Sequence, residues 1–227
     1  MQAIFTKIKQ KNLDEVKRIL NKHPEAVNSA SGPKPKKDHG QSPLQVALKI
    51  GAIEIADYLL DHGADVNFME AEDDDPGIRM PVLFDSIIGA IDALYYKRYE
   101  ESDESVRIMK RMLDMGADVN ALDSYGWDAM SEAIEHAQQI VIRPEIYTDI
   151  QDEAWNKLGI VMNILMDYGI NYEAWANRRL RPDSDLSPTN KEFYIYPVAP
   201  EDAERMERWK SMRTFLQDYF KRRNIIF

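Results

Sequence analysis

The pentapeptide Gly-Ala-Asp-Val-Asn is written twice, at residues 63–67 and 116–120. No other feature constrains the fold as much. The stretches before the two copies, "IEIADYLLDH" and "VRIMKRMLDM", align on their glycines. Ile55, Leu59 and Leu60 then fall on Ile108, Met112 and Leu113. This spacing predicts two amphipathic helices, each with one buried stripe. Gly63 and Gly116 follow the helix ends, where a residue without a β-carbon adopts the left-handed conformation that closes a helix. A weaker copy, "VMNILMDYGINYE", places Gly169 in the same position, and "LDEVKRILNKHPEAVN" is a shorter one ending at Asn28. An internal repeat of this kind predicts stacked supersecondary units that share one elongated core.

Upstream of the first helix lies "DHGQSPLQVALKIG". Ser42 suits the cap of a helix, and Pro43 suits its first turn, where no amide donor is needed. The run Ser42-Pro43-Leu44-Gln45-Val46-Ala47 with the Gly-Ala-Asp-Val-Asn ending resembles the ankyrin repeat, a turn followed by two antiparallel helices. Gln45 stands where that family usually has histidine. "PVLFDSI" and "DAMSEAI" take the same place in two further copies, and the amino-terminal "AIFTKIKQKNLDEVKRIL" reads as a partial first repeat. In that repeat Asn12 is expected to hold the inter-helix turn that Gly51 holds in the second.

The resemblance implies an all-α ankyrin-repeat solenoid of about four helix-turn-helix repeats with β-turn fingers, spanning residues 1–176. Residues 177–198 are expected as a linker or extended segment. Residues 199–227 are expected as a carboxy-terminal capping helix, with Met206, Trp209, Met212, Leu216, Tyr219 and Phe220 on its apolar face. The third and fourth repeats carry inserts, "GAIDALYYKRYEESDES" and "QQIVIRPEIYTDIQDEAWNKLG", which are read as lengthened helices with wider loops. Two inter-repeat connections are also long. One is basic, "SASGPKPKKDHGQ", and the other acidic, "FMEAEDDDPGIRM"; both are expected to project.

Charge adds a partner expectation. Residues 1–60 hold ten basic and six acidic side chains; residues 61–110 hold five and thirteen, and 111–170 three and eleven. An acidic middle repels nucleic-acid phosphate and attracts basic partners. The chain has no cysteine, which removes disulfides and thiolate metal sites. With no signal-like start and no membrane-length apolar run, a cytoplasmic protein is expected.

No phosphate-binding glycine loop, zincin motif or nucleophile elbow is present. His23, His39, His62 and His136 lack metal-ligand spacing and are read as surface or turn residues. Glu70, Glu72, Asp73, Asp74 and Asp75 lack the glycine and distal glutamate of a calcium loop and are read as a solvated acidic loop. No metal or cofactor is therefore expected. The resemblance implies protein binding without catalysis, on a surface of fingers and first helices. Carried over residue by residue, its contact positions are Asp38, His39, Gln41, Lys49 and Ile50 in the second repeat. In the fourth they are Ser124, Tyr125, Trp127, Glu135 and His136. An inhibitor or immunity protein that neutralises a basic toxin or nuclease is the alternative, and an enzyme with its site in the inserts is a third.

Overall fold

The computed structural model describes residues 2–32, 38–71, 78–141 and 147–171, and near the carboxyl end 214–216, 218–219 and 221–222. Four antiparallel helix pairs follow one another. They are α1 (Gln2–Lys9) with α2 (Leu13–Lys22), and α3 (Pro43–Lys49) with α4 (Ile53–Asp61). Then come α5 (Val82–Tyr95) with α6 (Tyr99–Asp114), and α7 (Ala129–Val141) with α8 (Gln151–Asp167). The first helices pack in chain order, α1 on α3, α3 on α5 and α5 on α7, while α4 lies between α2 and α6. Among the described residues the only β-pairing is two isolated bridges, Met69 with Pro81 and Leu122 with Asp128.

The inserts lengthen helices, as their composition predicts. The second pair has helices of 7 and 9 residues, the third of 14 and 16, and the fourth of 13 and 17. One apolar core runs through all four pairs, from Ile4 and Ile8 through Leu44, Leu59, Phe84 and Ile108 to Leu165. Each helix contributes one stripe, such as Ile55, Ala56, Leu59 and Leu60 on α4. The methionines Met109 and Met112 are fully buried in it.

Left-handed residues punctuate the pairs. Gly63, Gly116 and Gly169 have φ of 84°, 95° and 84° past the ends of α4, α6 and α8. A β-carbon at Gly63 would meet nothing within 4 Å, so the backbone angle alone selects glycine there. Between the helices of a pair, the left-handed position falls on Lys11, Gly51 and Lys97, with φ of 50°, 61° and 56°. The first repeat's turn residue is therefore Lys11 and not Asn12. Asn12 instead caps α2, its side chain accepting from the Glu15 amide at 3.1 Å.

The repeated asparagine has its own role. Asn28 Nδ2 donates to the Gly63 carbonyl at 3.0 Å, and its Oδ1 accepts from the Asp65 amide at 2.8 Å. Asn67 does the same to Gly116 and Asp118, at 3.1 and 2.7 Å. Asn120 repeats it on Gly169 and Asn171, at 3.2 and 2.7 Å. Each asparagine thus satisfies two backbone groups of the next repeat, forming a ladder along the array. Asn67→Ala removes both bonds of the middle rung and should destabilise the chain by about 1–2 kcal/mol. A thermal melt lowered by several degrees is expected; an unchanged melt would mean water replaces the rung without loss.

At the carboxyl end, Leu216 is buried in the core, and the Phe215 ring lies 4.6 Å from that of Trp155 on α8. Tyr219 donates to Asn163 Oδ1 at 2.5 Å. These contacts lie against α8. Met206, Trp209, Met212 and Phe220, together with the 177–198 segment, lie outside the described residues.

Candidate functional site

Three fingers connect the helix pairs, and their described residues are 29–32 with 38–42, 68–71 with 78–81, and 121–128. Their bases are closed by backbone hydrogen bonds. Ser31 N donates to the Gln41 carbonyl at 2.8 Å, Val82 N to Phe68 at 2.9 Å, and Asp123 N to Trp127 at 2.9 Å. The fingers are also tied to one another. Ala71 N donates to the Gly40 carbonyl at 2.9 Å, linking the first and second. Ser124 N donates to the Arg79 carbonyl and Arg79 N to Ser124 Oγ, both at 3.0 Å, linking the second and third. A β-carbon on Gly40, whose φ is 77°, would stand 2.8 Å from the Ala71 carbonyl oxygen, so the first link depends on glycine.

Residues 39–70, which run from the first finger through α3 and α4 into the second finger, match the family model of the ankyrin repeat. The chain therefore carries an ankyrin repeat at residues 39–70. No curated protein matches it.

The signature segment of the matched ankyrin repeat closes a capping box. Ser42 Oγ accepts from the Gln45 amide at 3.1 Å, and Gln45 Oε1 accepts from the Ser42 amide at 3.0 Å. Gln45, in the histidine position, also reaches the next repeat. Its Nε2 donates to the Met80 carbonyl at 3.2 Å and to Asp85 Oδ2 at 3.1 Å. One amide side chain thus caps its own helix and binds its neighbour.

From Gln45 a buried polar row crosses the repeats. Glu70 accepts from Gln41 Nε2 at 2.7 Å and from the Met80 amide at 3.1 Å. Lys49 Nζ reaches Gln41 Oε1 at 3.4 Å and Asp38 Oδ1 at 3.6 Å, and Lys9 pairs with Asp38. Asp85 is 4% exposed. Burial pushes its carboxyl up to about 8; the Gln45 hydrogen bond opposes this and the charge of Glu70 adds to it. On α7, His136 Nδ1 lies 2.7 Å from Asp92 Oδ1 of α5, and its Nε2 lies 3.2 Å from Glu132 Oε1. Burial pulls the imidazole down, but the hydrogen bonds and charges of Asp92 and Glu132 outweigh it and raise it to about 10.

The ten expected contact residues divide accordingly. Asp38, Gln41 and Glu135 are each less than 9% exposed, and Glu135 accepts from Gln139 Nε2 at 2.8 Å. His136 is not a surface or turn residue: it is a helical, half-buried side chain clamped between two carboxylates. Glu70 likewise is not solvated, although residues 72–75 of that acidic run lie outside the described residues. Ile50 packs against the core, His39 is half-buried, and Lys49 is exposed above the polar row. Ser124, Tyr125 and Trp127 share the third finger. There Asp123 Oδ1 accepts from the Tyr125 and Trp127 amides, both at 2.8 Å, and Gly126 makes the left-handed turn at φ 80°. Trp127 is half-buried, whereas Tyr125 is 62% exposed. Sequence reasoning missed Gln45, Glu70 and Asp85 as a set, because their partners are 29 to 40 residues apart.

Among the described residues, no group of three or more His, Asp or Glu side chains is arranged to hold a metal ion, and no helix is long and apolar enough to cross a membrane.

Proposed function

We propose that this chain is a non-catalytic module that takes a partner protein on its fingers. The observation that carries this reading is the third finger. Tyr125 projects into solvent from a turn braced by two Asp123 hydrogen bonds and tied sideways to the second finger. A large aromatic held rigidly in solvent suits an interface anchor, and a preformed surface loses little ordering entropy on binding. The acidic middle of the chain would speed encounter with a basic partner. It also favours a narrower form of the reading, an inhibitor of a basic toxin or nuclease, which co-expression with such a toxin would test by rescue of growth.

Tyr125→Ala should weaken capture of the partner by about tenfold, the loss of a ~1.4 kcal/mol anchor, with an unchanged melting temperature. Affinity chromatography on the immobilised wild type and variant, followed by titration of whatever the wild type retains, measures this. Equal affinity would remove the third finger from the interface.

A further inference from the structure

The end of the molecule away from the fingers also bears exposed aromatic rings. Helix α5 carries the chain about 20 Å from the second finger to its turn with α6. There Tyr96 is 71% exposed and Tyr99 43%. The shorter second pair does not reach over them. Its turn ends against α6, where a β-carbon on Gly51 would stand 2.5 Å from Glu101 Oε1. On the other side the turn is fixed to the fourth pair. Lys97 pairs with Asp149, and the Tyr95 ring meets that of Tyr147 edge-on at 5.2 Å. Tyr96 and Tyr99 are thus held outward on a braced turn, and core packing accounts for neither ring.

The turn itself displays what such a ring holds. The Arg98 guanidinium lies over the Tyr96 ring, 4.7 Å from its centre, and its Nη1 donates to Glu101 Oε2 at 2.9 Å. A planar cation rests on an aromatic face with a carboxylate at its edge. The surroundings favour more of the same charge. Residues 95–104 and 147–153 hold seven carboxylates against Lys97 and Arg98. Asp149 and Glu101 are matched by those two cations, Asp103 by Lys157 and Glu104 by Arg107. Glu100, Asp152 and Glu153 remain, exposed in the first turns of α6 and α8. Their negative charge draws cations towards the rings.

We infer that this turn is a docking surface, separate from the fingers, for arginine side chains of a basic polypeptide. The guanidinium planes stack on Tyr96 and Tyr99 as Arg98 does on Tyr96, and Glu100, Asp152 and Glu153 supply the opposing charge. The inference stands apart from the finger reading, so either can fail alone.

Fluorescence anisotropy of the full chain with three labelled peptides tests it. One carries glycine-spaced arginines, the second has lysines in their place, and the third glutamines. The arginine peptide should bind at least about fivefold tighter than the lysine peptide, and salt should weaken both. The glutamine peptide should not bind. Tyr96→Ser/Tyr99→Ser should abolish the preference for arginine. Asp152→Asn/Glu153→Gln, an independent lesion, should weaken both basic peptides, and Tyr125→Ala should change neither. Thermal melts of the variants separate lost binding from lost fold. Equal affinity for the arginine and lysine peptides would overturn the stacking. An arginine preference that survives the tyrosine double variant would place the site elsewhere and overturn this surface. Loss of binding in Tyr125→Ala would assign the peptide to the fingers, with the same consequence. Failure of the arginine peptide to bind would overturn the inference and leave the finger reading standing.

Discussion

An Asp85→Asn variant should melt at a higher temperature than the wild type at neutral pH, and the gain should vanish in acid. Asp85 lies 4% exposed at the start of α5, facing Gln45 and under the influence of Glu70, Lys49 and Glu132. Its carboxyl keeps its proton to about pH 8, against an ordinary value of 3.8. Above 3.8 the unfolded chain has released that proton and the native state has not. The native state then binds more protons, so stability falls as pH rises, until the folded group also ionises near 8. Asparagine has no proton to lose in this range, and its Oδ1 can accept the same Gln45 hydrogen bond. The advantage of the variant should grow from nothing below pH 3.8 to a plateau above about 8, on the order of 6 kcal/mol. Paired melts from acid to mildly alkaline pH measure it. A gap that does not widen with pH would show that Asp85 ionises normally.

Removal of His136 should have the opposite sign. The imidazolium bridges Asp92 on α5 and Glu132 on its own helix, so His136→Ala leaves two carboxylates facing a partly desolvated space. Loss of one member of a buried ion pair typically costs about 3–5 kcal/mol. With 24% of the histidine side chain exposed, solvent lowers the expectation to about 2 kcal/mol, a fall of roughly 5 °C. The histidine is raised from 6.5 to about 10, so its contribution is fully present below 6.5 and lost as pH rises through 10. The wild-type–variant difference should therefore shrink at high pH. A difference that stays constant across that range would mean that packing, and not charge, holds α7 to α5.

Local signals were legible in the sequence, and long-range polar pairing was not. The helix-closing role of Gly63, Gly116 and Gly169 follows from their place after an amphipathic run, and all three are left-handed. Extension of α5 through α8 follows from the length and composition of the inserts. The asparagine ending the first three repeats was visible in their sequences, but its bonds go to the following repeat, so inspection of one repeat could not reveal them. The turn residue of the first repeat was misplaced by one position because lysine gives no hint of a left-handed backbone, whereas asparagine does. Asp38, Gln41, Glu135 and His136 were expected as contact residues because the ankyrin resemblance places contacts around the turn and near the end of the first helix, and that mapping carries no information on burial. Their partners Lys9, Glu70, Gln139 and Asp92 arrive through folding, and three of the four come from other elements.

Helix length is unequal along the array, and this bears on the order in which the chain folds. The third pair has 14 and 16 residues against 7 and 9 in the second. It joins neighbours on both sides, with α5 touching α3, α7 and α8. In a linear array, structure spreads outward from the unit with the most local contacts. The third pair has such contacts with the pairs on both sides, so it is expected to form early and the amino-terminal pair to join it later. The third finger adjoins this pair, so the turn that presents Tyr125 is expected to be in place before the amino-terminal pair has docked.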